Sequence, residues 1–286
     1  MSILEDIKKE FEIPNAYESW ATYREALTDI ILAHSPEKAD SIALYGIGPA
    51  NDLDLGRLAA RYERMTLIDV DETGMRQGLK RYGLLQSSKI QIWAGSLTGV
   101  SSKDTEAFLA SLLHFVQKNG RGLTEAAFME ASLRELAKLQ TKVYRSPEAL
   151  RSALPSGQDD LSVSVGLHSQ LWSILSYSWL TLAGNVEEQI LGHPMHQDPF
   201  FDALRDMDDA YIPVLNDTLA SRGASLLLGV EDAPKDPVEG AYQSLTYIRR
   251  RYPNVEEQHL HWPFRPEDGK EYDMLIQFVE CAKAVS

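Results

Sequence analysis

One cysteine in 286 residues leaves nothing for a disulfide framework and no cysteine pair for a thiolate zinc site. Cys281 therefore reads as a lone reduced thiol in a reducing compartment. Long apolar runs are also scarce. The greasiest stretch, Leu171 to Ala183, is interrupted by serines and falls short of the roughly 20 apolar residues a membrane-spanning helix needs. It reads as a buried helix, and no membrane partner is expected. Basic charge is thin as well: 28 Lys and Arg stand against 42 Asp and Glu, a formal net charge of −14. Such a chain repels phosphate backbones, which argues against nucleic acid as a partner. The basic run Arg249-Arg250-Arg251 reads as a solvated helix end. No low-complexity tract or internal repeat interrupts the chain, and 44% hydrophobic with 24% charged residues is an ordinary globular composition. The start, Met1-Ser2-Ile3-Leu4-Glu5-Asp6, carries acids where a secretory signal needs a basic region and an apolar run, so a cytoplasmic location is expected.

What is present is an alternation of strand and helix patterns. Ile3, Leu4, Ile7 and Phe11, then Tyr17, Trp20, Leu27, Ile30 and Ile31 beyond Pro14, recur at helical spacing and predict a helical cap over residues 1–40. Ser41 to Tyr45 is a short apolar run ending in a glycine-rich turn, and Asp54 to Tyr62 resumes a helical pattern. Met65 to Val70 and Ile90 to Ala94 read as the second and third strands, with a helix around Met75 to Tyr82 between them. Lys103 to Tyr144 turns all-helical, and Ser146-Pro147-Glu148 has the serine cap and early proline of a helix start. Leu161 to Leu167 reads as strand four, Ser169 to Leu182 as a buried helix, and Pro199 to Ala220 as a long helix leading into strand five, Ser225 to Val230. Glu257 to Trp262 and Tyr272 to Val279 alternate on either side of a turn, which predicts a terminal antiparallel hairpin. The expected fold is α/β: a doubly wound, mostly parallel sheet over residues 41–286 closed by that hairpin, with helical insertions at about 103–155 and 184–217.

The chemistry concentrates at the strand ends. After the first strand come Tyr45-Gly46-Ile47-Gly48-Pro49-Ala50-Asn51-Asp52-Leu53-Asp54. Glycines at 46 and 48 let the backbone turn sharply and approach a ligand, and the N-terminus of the next helix favours an anionic group. That group is a carboxylate in S-adenosylmethionine and a pyrophosphate in a dinucleotide. Asp52 or Asp54 serves either a ligand ammonium or the first turn of the helix. The second strand ends Asp69-Val70-Asp71. A carboxylate about 20 residues beyond the glycine loop is where a ribose diol is held, so Asp69 is the foremost site residue, and Asp71 reads as a helix cap. Ser96 and Leu97, after the third strand, share the same edge and would flank an adenine. Leu167 and His168 follow the fourth strand; His168 is either a general base or a hydrogen-bonded wall residue. The pairs His193/His196 and His259/His261 show no third ligand and read as loop or packing histidines, with no metal expected. Trp172, Tyr177 and Trp179 read as core.

Together these segments resemble the class I S-adenosylmethionine-dependent methyltransferases, which share a Rossmann-like sheet finished by an antiparallel hairpin. The resemblance implies S-adenosylmethionine as cofactor, held by Tyr45, Gly46, Gly48, Asn51, Asp52, Asp69, Val70, Ser96, Leu97 and Leu167, with methyl transfer to a small molecule or protein acceptor. His168-Ser169-Gln170 stands where enzymes that methylate planar nitrogens carry an Asn/Asp-Pro-Pro-aromatic signature, which disfavours such acceptors. Leu44, Ala50 and Ser96 depart from the family pattern at positions usually held by an acid, a glycine and an acid. A non-catalytic binding protein built on the same sheet is therefore the alternative. A nicotinamide-dependent oxidoreductase shares the loop and the acid but has Asn51 where its third motif glycine belongs.

Overall fold

The computed structural model describes residues 13–233, 238 and 240–281; the helix expected around Ile3 to Phe11 lies outside them. Among the described residues seven strands form one sheet: β1 (Ser41–Tyr45), β2 (Arg64–Asp69), β3 (Ile90–Ala94), β4 (Asp159–Val165), β5 (Gly223–Glu231), β6 (Glu256–Arg265) and β7 (Lys270–Glu280). Their order is β3-β2-β1-β4-β5-β7-β6. The first five run parallel, and β7 lies antiparallel between β5 and β6. This is the doubly wound α/β sheet with a terminal hairpin that the sequence predicts. All five residues of β1 are buried, because a strand covered on both faces must be apolar throughout. The chain leaves β1 towards β2 and β3 and returns to β4 on the other side. The crevice at the carboxyl ends of β1 and β4 is thus the point where strand order reverses and open α/β sheets bind ligands.

Helices α1 (Ala21–Ala33), α2 (Leu55–Arg61) and α3 (Glu72–Arg81) supply Leu27, Ile31, Leu55, Leu58, Met75 and Leu79 to a core shared with Ile42, Leu44, Leu161, Val163 and Leu227. Their starts follow from local chemistry. Asp54 caps α2 by accepting from the Arg57 N–H at 3.0 Å, and Asp71 caps α3 by accepting from the Gly74 N–H at 3.0 Å. Ser146 caps the helix Pro147–Ala153, with proline in its first turn as expected. Arg249-Arg250-Arg251 form the last turn of the helix Ala241–Arg251, where Arg249 grips Glu257 through two bonds of 2.7 and 2.8 Å.

Past the carboxyl end of β4 two expected boundaries shift. Strand β4 ends at Val165 rather than Leu167, since Gly166 takes φ +64° and turns the chain. His168–Gln170 then form a 3-10 turn, so the following helix starts at Ser173 instead of Ser169. Contacts divide the chain into two units. One holds residues 98–144 and 170–211, and the other holds the sheet with residues 13–97, 145–169 and the described residues from 212 onward. The first unit is helical: Ser102–Asn119, Glu125–Gln140, Ser173–Val186 and the opening of Asp198–Arg222. Its centre is Trp179, fully buried, stacked on Phe200 at 4.0 Å and donating from Nε1 to Ser132 Oγ at 2.9 Å. Trp172 is buried as well, while Tyr177 is half-buried. His193, His196, His259 and His261 are all exposed. Among the described residues no helix is long and apolar enough to cross a membrane, and no group of three or more His, Cys, Asp and Glu is placed to hold a metal ion.

Replacing Trp179 by Ala removes the ring stack and orphans Ser132. The expected cost is about 3–5 kcal/mol, read as a lower urea midpoint, whereas Trp179→Phe should lose less than half of that.

Candidate functional site

The turn after β1 is built from left-handed residues: Gly46 at φ +70°, Gly48 at +46° and Ala50 at +52°. The Gly46 N–H continues the β1–β2 ladder onto Ile68 O at 2.8 Å. The next donor leaves the sheet: the Gly48 N–H bonds to Asp69 Oδ2 at 2.8 Å. Asp69 Oδ1 accepts from the Asp71 N–H, also at 2.8 Å. The carboxylate at the end of β2 is thereby pinned against the glycine loop, and each oxygen keeps a lone pair for a further donor. Burial raises the Asp69 pKa, and the two backbone donors pull against that shift without cancelling it.

Ala50 shows how the loop tolerates its departure from the family pattern. It adopts the same left-handed conformation a glycine would, at a cost of roughly 1–2 kcal/mol, and buries its methyl group. Helix α3 makes room for the loop. A Cβ on Gly78 would stand 2.7 Å from Pro49 O and 3.3 Å from Ala50 Cβ, and one on Gly74 would stand 3.2 Å from Pro49 N. Two glycines one helical turn apart give the loop its seat; their spacing of four was the available sequence signal. From the other side Arg24 Nη1 donates to Asn51 O at 2.9 Å and Arg81 Nη1 to Pro49 O at 3.2 Å. Both guanidinium groups lie 3.8 Å from the centre of the Tyr17 ring. The N-terminal segment and α3 thus hold the loop between them.

The remaining candidates distribute unevenly. Asp54 is spent as the α2 cap, and α2 is only seven residues long, so its N-terminus is not a separate anion site. Asp52 is not a cap. It is half-buried beside a small cavity lined also by Tyr45, Gly46, Ile47, Leu53 and Val165, and burial pushes its carboxyl up to about 6 against the pull of its own backbone N–H and of Arg24. Val70 is 55% exposed, an open apolar surface next to Asp69. Ser96 is half-buried, Leu97 and Leu44 are buried. The Tyr45 hydroxyl is buried without a hydrogen-bond partner, in the neighbourhood of Arg222 and Ser162. Leu167 packs on Gly46: its Cδ1 lies 2.8 Å from where a Cβ would be.

His168 Nε2 pairs with Asn216 Oδ1 at 2.8 Å, and Asn216 Nδ2 donates on to Ser244 Oγ at 3.0 Å. Because an amide oxygen accepts, Nε2 carries the proton and Nδ1 keeps the lone pair. Burial lowers the imidazole pKa to about 4, which makes it a weak base near neutral pH.

No protein-family model matches the sequence, and no curated protein matches it. Solved structures do. An N-methyltransferase, NodS, from Bradyrhizobium japonicum WM9 in complex with S-adenosyl-L-homocysteine is 12% identical, covering 92% of this chain and 97% of its own, with a TM-score of 0.42. A putative RNA methyltransferase from Pyrococcus horikoshii is 8% identical over 88% of this chain and 81% of its own, TM-score 0.42. An O-methyltransferase family protein from Burkholderia thailandensis is 9% identical over 94% of this chain and 59% of its own, TM-score 0.42. The strand order and the antiparallel β7 make the fold Rossmann-like.

Asp52 gives the site a pH signature. Its folded pKa of about 6 lies above the ordinary 3.8, so the native state binds this proton more tightly than the unfolded chain. Stability is therefore highest below about pH 4 for this group and is lost as pH rises to about 6. Thermal melts of wild type and Asp52→Asn across that window should diverge, with the variant gaining at least about 3 °C relative to wild type by pH 7.

Proposed function

We propose that the chain is an S-adenosylmethionine-dependent methyltransferase acting on a small molecule or a protein side chain. The observation that carries this reading is the Asp69 carboxylate, bridged to the Gly48 N–H at the point where strand order reverses. A carboxylate there accepts both hydroxyls of a ribose, and its unused lone pairs suit that task. Val70 offers an exposed apolar side chain to an adenine, with Ser96 and Leu97 on the next strand end. Gly46 and Gly48 allow close approach of the ligand backbone, Asn51 and Asp52 supply polar contacts for an amino-acid moiety, and Tyr45 and Leu167 complete the wall. The fit is direct for the adenosine half. For the other half Leu167 must turn off Gly46, since its side chain fills the space above that residue.

When bound, the cofactor supplies an electrophilic methyl group on a sulfonium. The chain's contribution is alignment and exclusion of water. His168, neutral and tied to Asn216, serves as a wall with one lone pair rather than as a strong base. One observation favours a second reading, the non-catalytic binding protein: the close contact of Leu167 with Gly46.

Calorimetry with S-adenosylhomocysteine separates the readings. Wild type should bind it, and Asp69→Ala should bind at least about tenfold more weakly, the loss of one to two hydrogen bonds to a charged group. Affinity should also fall below about pH 6 as Asp52 takes up its proton. Heat with NADH and none with S-adenosylhomocysteine would overturn the proposal in favour of an oxidoreductase. No heat with either leaves the non-catalytic reading.

A further inference from the structure

The carboxyl ends of β4 and β5 carry polar groups that none of the contacts above uses. Glu231 is the last residue of β5 and only 6% exposed. Ser169 Oγ donates to its Oε1 at 2.7 Å, while Oε2 is shut off from solvent with no hydrogen-bond partner. Buried carboxylate oxygens ordinarily have donors, so this atom marks a place where a donor is missing. Tyr23 of α1 is buried too. Its phenol proton is held on first by burial and then by the negative charges of Asp52 and Glu231, so both carboxylates lie within electrostatic reach of one hydroxyl. The Tyr23 ring stacks on Trp262 of β6 at 5.5 Å and 20°. Trp262 in turn stands 4.0 Å from where a Cβ on Gly166 would be, just past the end of β4. A pair of stacked aromatic faces thus lies past the end of β4, within electrostatic reach of an acid oxygen that has no donor.

The charge of this corner decides what it would accept. Asp52 and Glu231 are both acids; Arg24 is the cation felt at Asp52, and its Nη1 is committed to Tyr17 O and Asn51 O. A carboxylate or phosphate on the ligand would be repelled, whereas an amine brings N–H donors, complements the local charge and is attracted to aromatic faces when protonated.

We propose that Glu231 Oε2 receives an N–H of an amine-bearing acceptor, with Ser169 fixing the carboxylate and Tyr23 and Trp262 forming the adjoining wall. This rests on the methyltransferase reading and narrows its acceptor to aliphatic or benzylic amines over alcohols and acids. Glu231 is separate from the residues assigned to the cofactor, so the amine site can fail while the methyltransferase reading stands.

The test measures benzylamine and benzyl alcohol by ligand-observed NMR on the S-adenosylhomocysteine-loaded full chain. Benzylamine should bind at least about tenfold more tightly than the alcohol, and Glu231→Gln should remove most of that preference. The affinity of Glu231→Gln for S-adenosylhomocysteine should stay within about twofold of wild type. Equal binding of amine and alcohol, no binding of benzylamine, or an unchanged preference in Glu231→Gln, with S-adenosylhomocysteine still bound, overturns the amine site and leaves the methyltransferase reading standing. Absence of S-adenosylhomocysteine binding overturns both. The amine-to-alcohol comparison on wild type decides the matter even if Glu231→Gln does not fold, and Ser169→Ala should then show a smaller loss, about two- to fivefold.

Discussion

A single carboxylate organises the carboxyl edge of this sheet at β1 and β2. Asp69 closes β2, and by accepting from Gly48 with one oxygen and from Asp71 with the other it joins the turn after β1 to the turn before α3. The loop between Gly46 and Asp54 has few ladder bonds of its own, so its shape depends on that carboxylate, on the arginines that grip its carbonyls and on the glycines of α3 that leave it space. Burial makes the arrangement responsive to ligand. An acid whose pKa is raised by desolvation gains more from a new donor than a solvated one does, because the donor replaces water the site has already excluded.

The sheet was legible in the sequence for a definite reason: central parallel strands are buried on both faces, and their apolar runs stand out from the surrounding helical periodicity. Strands β1 and β3 fall where the patterns put them, and the alternation after Glu256 marked the hairpin. Where the reading slipped, a glycine was responsible. Gly166 is flanked by apolar residues that extend the strand pattern, yet its positive φ ends β4 two residues early, and the 3-10 turn that follows delays the next helix.

The site was less legible than the fold. The cap at Asp71 could be read because an acid before a helix has few alternative uses, and Asp69 could be placed at the end of β2 beside the glycine loop from its spacing alone. Asp52 and Asp54, two residues apart, could not be told apart until the helix start was known, and only Asp54 turned out to be the cap. Glu231 was invisible because it closes an apolar run with no motif around it, and Tyr23 reads as one more aromatic on a helix face. What joins them is tertiary: the antiparallel hairpin brings Trp262 over the end of β4, and α1 brings Tyr23 onto Trp262. The same packing raises the pKa values of two unremarkable acids through burial.

The central claim is that the Gly48 N–H and the Asp69 carboxylate face one adenosine-bearing guest, and the amide resonance of Gly48 reports on it directly. In a ¹H–¹⁵N spectrum the account predicts that this amide lies downfield at neutral pH, moves as Asp69 protonates above the ordinary carboxylate range, and shifts together with the Val70 amide on addition of S-adenosylhomocysteine. A Gly48 resonance that is insensitive both to acid and to S-adenosylhomocysteine would contradict it.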